Sequence, residues 1–204
     1  MRSIVLVLAV AALAAHPLDG TPKGRQHDGH WWLSISREQR ESYLLGYYDC
    51  YVGSLRQPRP PLLETGKEAE LVLQAYRSDP SRLPALASDV MKDIWAANPR
   101  GAVPIRPKGG ERATGPHGFF DGLWWKGASE AEKLGFVEGE MDCFNQEGPS
   151  KYRLGLSANH YVKWLDRAYG LDESSDESTS RALVPEEASI ADVLLKDAEP
   201  VAGQ

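Results

Sequence analysis

Asp28-Gly29-His30-Trp31-Trp32 … Ser36 … Tyr43 … Gly46 … Asp49-Cys50-Tyr51 returns later in the chain as Asp121-Gly122-Leu123-Trp124-Trp125 … Ser129 … Phe136 … Gly139 … Asp142-Cys143-Phe144. Tryptophan and cysteine are scarce here, 6 and 2 in 204 residues. They nevertheless recur without a gap, Trp32 standing to Trp125 as Cys50 stands to Cys143. Chance is a poor source of such a match, so the chain reads as a duplicated unit.

Each copy announces a helix. Ser36-Arg37-Glu38-Gln39 and Ser129-Glu130-Ala131-Glu132 have the spacing of a capping box, with a hydroxyl to receive the N3 amide and a side chain to reach back. Beyond them Tyr43, Leu44, Tyr47, Tyr48 and Tyr51 recur at three and four, as do Phe136, Val137, Met141 and Phe144, which predicts one broad packed face per helix. Gly46 and Gly139 lie inside these helices, where glycine costs roughly 1 kcal/mol against alanine. The same cost at matching positions points to the close approach of another backbone.

The match continues outward. Thr65-Gly66-Lys67-Glu68 predicts a second capping box, and Ala75-Tyr76 of that helix has its counterpart in Ala168-Tyr169. Pro84 to Ala97 reads as a third helix, paralleled by Pro185 to Lys196. Its register in the second copy is ambiguous. Pro84 matches Pro185 at one offset, and Asp89-Val90 matches Asp192-Val193 at another. The expected organisation is a signal peptide over 1–15, a loose polar leader over 16–27 and a first repeat unit over 28–99. A Gly/Pro/basic linker follows over 100–120, then a second unit over 121–197 with a mobile acidic insert at 172–180, and a fraying tail over 198–204.

The signal peptide rests on Arg2 ahead of the apolar run Ile4 to Ala15, closed by Ala12-Leu13-Ala14 as a small-x-small cleavage site. That run is too short for a transmembrane anchor, which needs roughly 20 apolar residues. The formal net charge is −6, so nucleic acid finds no general electrostatic attraction. The expectation is an extracytoplasmic chain, periplasmic or secreted. There Cys50 and Cys143 can form a disulfide joining the halves. Two buried free thiols or an intermolecular bond remain as alternatives.

The aromatic-glycine helix Tyr43-Leu44-Leu45-Gly46-Tyr47, the helix ending in Ala75-Tyr76, then Asp79-Pro80 and a closing helix to Asn98-Pro99 resemble the small periplasmic immunity proteins of the Tai and Rap type. The resemblance covers Trp31 to Pro99 and, less fully, Trp124 to Lys196. It implies a helical fold and an inhibitory role, since proteins of that type neutralise the peptidoglycan amidase effectors of type VI secretion.

Chemistry has few candidates. Cys50 and Cys143 fall late in their helices, each beside an aspartate, which disfavours a nucleophilic thiolate. Asp49 and Asp142 oppose the helix dipole in both copies. They form either an acid and base pair, if the halves meet there, or two local hydrogen-bond acceptors, for instance of an indole N–H. The pairs Trp31-Trp32 and Trp124-Trp125 are either stacking platforms for a ligand or hydrophobic staples on the helices they precede. Tyr47, Tyr48 and Tyr51, aligned with Glu140, Met141 and Phe144, mark a candidate partner-binding face. His27 and His30 lie in a loop without a further ligand at metal spacing, so no metal is expected, and no cofactor motif is present.

The sequence thus leads to an all-α protein of two tandem three-helix repeat units packed with pseudo-twofold symmetry. Its expected function is that of a non-enzymatic binding or inhibitory protein of the cell envelope, with a protein partner there. The alternative is an envelope hydrolase acting on glycan or peptidoglycan through Asp49, Asp142, Glu138 or Glu140.

Overall fold

The structure is a computed structural model, and it describes residues 27–58, 60, 64–98, 120–149, 152–171, 183–196 and 199–200. The signal peptide, the leader up to residue 26, nearly all of the linker and the acidic insert lie outside the described residues. The fold is mostly helical. In the first half, α1 (Gly29–Ser34), α2 (Arg37–Tyr48), α3 (Thr65–Ser78) and α4 (Ala87–Ala97) follow in order. In the second half come α5 (Gly122–Gly127), α6 (Glu130–Glu147), α7 (Ala158–Ala168) and α8 (Ile190–Leu195).

Capping explains where the long helices begin. Ser36 Oγ accepts from the Gln39 amide (3.1 Å). In α6 the box is complete, with Ser129 Oγ receiving the Glu132 amide (3.3 Å) and Glu132 Oε2 receiving the Ser129 amide (2.7 Å). The expected box at Thr65 does not form. Thr65 is itself the first helical residue, behind Glu64, and Glu68 turns inward instead. The Trp pairs also differ from a simple lead-in, because each sits in its own six-residue helix, capped by Asp28 or Asp121.

Helix α2 does not stop at Tyr48. It widens into π-helical turns over Asp49–Ser54 and then ends at Arg56, whose φ of 53° is left-handed. Pro58 follows, with no N–H to carry a helix further.

Helices α2 and α6 form the central seam. A Cβ added at Gly46 would strike the carbonyl oxygen of Phe136, one at Gly139 that of Tyr43, and one at Gly135 that of Gln39. Only glycine lets these backbones approach so closely. The seam is covalently closed by a Cys50–Cys143 disulfide with a Cα–Cα distance of 6.1 Å, spanning 93 residues of sequence. Around it runs a single apolar core that takes Trp32, Tyr43, Val72 and Met91 from one half and Trp125, Phe136, Leu165 and Ile190 from the other.

The third helices are tied back to the starts of their own halves. Ala87 N donates to His27 O (2.8 Å) and Ile190 N to Phe120 O (3.2 Å). Gly29 N donates to Leu83 O and Gly122 N to Glu186 O, both at 2.8 Å. Asp28 bridges to Leu86 and Asp121 to Ser189. These ties choose between the two registers: Asp89-Val90 corresponds to Asp192-Val193, and Pro84 does not correspond to Pro185.

Two boundaries need correction. Glu199–Pro200, placed by sequence in a fraying tail, pair antiparallel with Tyr152–Arg153. His27, placed in a loose leader, is part of the folded body. No described helix is long and apolar enough to cross a membrane.

Candidate functional site

Glu138 and Asp142 stand four residues apart on α6, and Gln39 and Tyr43 stand four apart on α2, so each pair shares one helix face. The seam brings the two faces together. The Tyr43 hydroxyl donates to Asp142 Oδ2 (2.7 Å), and Gln39 Nε2 donates to Glu138 Oε2 (2.8 Å). His27 closes the group from the N-terminal side. Its Nδ1 lies 2.9 Å from Asp142 Oδ2, and its Nε2 lies 3.7 Å from Glu138 Oε1. Trp31 packs on the imidazole with ring centroids 4.2 Å apart.

Burial and charge pull these groups in opposite directions. Burial favours the neutral imidazole of His27. The hydrogen bond and charge of Asp142, with the charges of Glu138 and Asp28, outweigh it and raise the pKa above the usual value. Burial raises Glu138 as well, against the charge of His27 and the hydrogen bond from Gln39. Tyr43 is pushed well above the usual phenol value, by burial first and by Asp142 second, so it remains a donor.

Asp49 does not join this cluster. It lies on the other side of the seam with Glu140, and both are 3% exposed. The two carboxyl groups are close enough to act on each other's ionisation. Burial first, and the charge of Asp49 second, hold Glu140 well above the ordinary carboxylate range. Two buried carboxyl groups this close favour keeping one of them protonated. The alternative in which Asp49 meets Asp142 as an acid and base pair gives way to two separate acidic pairs, Asp49 with Glu140 and Asp142 with Glu138.

The expected indole donors are not those of Asp49 and Asp142 either. Trp125 Nε1 donates to Asp166 (2.9 Å), which also accepts from Lys133 (2.8 Å), while Asp142 takes its donors from the other half. A third buried acid, Glu68, accepts from Trp95 Nε1 (2.7 Å). Burial raises its pKa to about 7, and the indole bond holds it down.

Trp32, Trp124 and Trp125 are buried, and Trp31 is half-buried over His27, so the pairs pack inward and offer no open platform. Tyr47 and Tyr48 are 0% and 5% exposed, which corrects their placement on a partner-binding face. Their rings fill the core. Tyr51 alone of the three stays half-buried, near Tyr47 (6.2 Å) and Trp95 (5.7 Å). Among the described residues no group of three or more His, Cys, Asp and Glu could hold a metal. A concavity of about 360 Å³ is lined by Arg37, Arg40, Glu64, Gly66, Lys67, Ala69 and Glu70, remote in composition from the acidic pairs.

What sequence reasoning missed is the role of His27, which it weighs only as a metal ligand. Carrying the duplication one step upstream of Asp28 and Asp121 aligns His27 with Phe120. The same offset aligns Tyr43 with Phe136, Glu138 with Leu45 and Asp142 with Asp49. One of two matching places is thus polar, with His, Tyr, Glu and Asp, where the other has Phe, Phe and Leu beside its Asp. No family model matches the chain, and no curated protein or solved structure matches it either.

Proposed function

We propose that this chain is an exported, non-enzymatic helical binding or inhibitory protein of the cell envelope, acting on a protein partner. The observation that carries this reading is the fate of the four candidate carboxylates. Asp49 and Glu140 are buried beside each other in the interior. Asp142 and Glu138 are engaged by Tyr43, His27 and Gln39 beneath Trp31. A hydrolase needs an acid and a base that reach its substrate, and these are used to join two helices. The buried disulfide supports an extracytoplasmic location.

The architecture that goes with this reading is a pseudo-twofold duplication. In its favour, contacts recur with the halves exchanged: Gly46 against Phe136 and Gly139 against Tyr43, and the bridges of Asp28 and of Asp121. An immunity-like role, in which the protein neutralises a peptidoglycan amidase effector, is the specific form we favour.

Reconstitution tests the reading. A partner captured from envelope extract by the processed protein should re-form a stoichiometric complex from purified components, and a peptidoglycan-cleaving partner should lose activity in that complex. Turnover of peptidoglycan by the isolated protein, abolished by Asp142→Asn, would instead establish the hydrolase.

A further inference from the structure

The two copies thread their starts into the fold in the same way and differ in what the first ring does there. In the second copy Phe120 lies 4.9 Å from Trp124 and 4.7 Å from Phe136, ring to ring. In the first, His27 lies 4.2 Å from Trp31 and 6.0 Å from Tyr43. An apolar ring is enough to fill the space. The imidazole adds two polar edges, one at Asp142 Oδ2 (2.9 Å) and one toward Glu138 Oε1 (3.7 Å). A neutral imidazole carries one N–H and must turn a lone pair to one of the two carboxyl groups, whereas an imidazolium donates to both.

The charged groups that act on this ring are Asp142 and Glu138 of α6 and the adjacent Asp28, all acidic. Helix α2 contributes the Tyr43 phenol, already committed to Asp142, and the neutral Gln39. Among the described residues no third ligand completes a metal site, and the two ring nitrogens face different carboxyl groups. The arrangement therefore suits a proton.

We infer that His27 is a proton-operated clasp: as an imidazolium it fastens Trp31 over the Tyr43, Asp142 and Glu138 cluster, and on losing its proton it lets that turn of α1 loosen. The backbone ties of His27 to Ala87, Asp28 to Leu86 and Gly29 to Leu83 stay in place, and the Cys50–Cys143 bond keeps the two halves joined. The opened state presents Asp142 and Glu138 to water. Because the folded imidazole holds its proton above the usual 6.5, the clasp is complete below that pH and loosens as the pH rises through the folded value. Histidine is the side chain whose charge changes in this range.

The second copy supplies an internal reference. The Trp31 amide donates to Asp28 Oδ1 (3.0 Å), as the Trp124 amide does to Asp121 Oδ1 (3.2 Å). Amide exchange by NMR on the full processed chain, with the His27 ring titrated in the same samples, reads both. The expected His27 midpoint lies above 6.5, and protection of Trp31 should fall relative to Trp124 as the pH crosses it. His27→Phe, which copies Phe120, should hold that ratio constant, as should His27→Gln, which keeps a donor without titrating. A midpoint at or below the usual value, a ratio that does not change across the titration, or an unchanged pH dependence in both variants overturns the clasp.

Discussion

Glu68 illustrates how much a single buried acid can decide. Its carboxyl group is 2% exposed, and its one identified donor is the Trp95 indole. Its pKa rises from 4.5 to about 7, so the folded chain binds this proton more tightly than the unfolded one. The contribution is therefore full below about pH 4.5 and lost as the pH climbs through 7. The shift is equivalent to about 3 kcal/mol. Glu68→Gln keeps the acceptor for Trp95 and removes the titration, so it should gain about that much on the parent near pH 8 and match it in acid. Urea unfolding at the two pH values measures both. Nothing local to Thr65-Gly66-Lys67-Glu68 reveals this fate, because the sequence pattern of a capping box is satisfied whether or not Trp95 waits on the other side. The pairing of His27 with Asp142 is hidden for the same reason, since the two are 115 residues apart.

At the scale of elements, legibility follows the range of the interaction. The starts of α2 and α6 are readable because Ser36 and Ser129 meet partners three residues on. Gly46 and Gly139 identify themselves as contact points by being costly in a helix, although sequence alone does not say that each faces the other copy. The register of α8 is illegible because it is set by Ile190 bonding to Phe120 across the fold, against a proline match at a different offset. The tyrosines of α2 misled for a physical reason: the same flat amphipathic ring suits an interface and a core. Replacing Gly139 by Ala should force the seam apart. A methyl there meets the Tyr43 carbonyl oxygen and the Tyr47 amide, which are backbone and cannot rotate away. A loss of about 1 to 3 kcal/mol or more is expected, readable as a lower urea midpoint with the disulfide intact. Substitution of the exposed Gly127, beside which an added Cβ meets nothing, is the matched control.

For the whole molecule the disulfide outweighs any one of these contacts. Joining residues 93 apart restricts the unfolded chain, which on the chain-entropy model contributes about 4 to 5 kcal/mol. Both sulfur-bearing residues are fully buried, so reductant should act only through unfolding. Native protein in reductant is therefore expected to keep its bond until denaturant is added, and then to unfold at a markedly lower midpoint than the oxidised form. Thiol trapping along the denaturant series measures this, and rapid labelling of the native state would contradict it. His27, Glu138, Glu140 and Glu68 all bind protons more tightly in the folded chain, so these four groups contribute more stability in acid. The seam adds a last consequence. The notch at Gly46 is filled by the backbone of Phe136, and the notch at Gly139 by that of Tyr43, so each half is the mould for the other. The contact between the halves lies within one chain, so dilution cannot dissociate it.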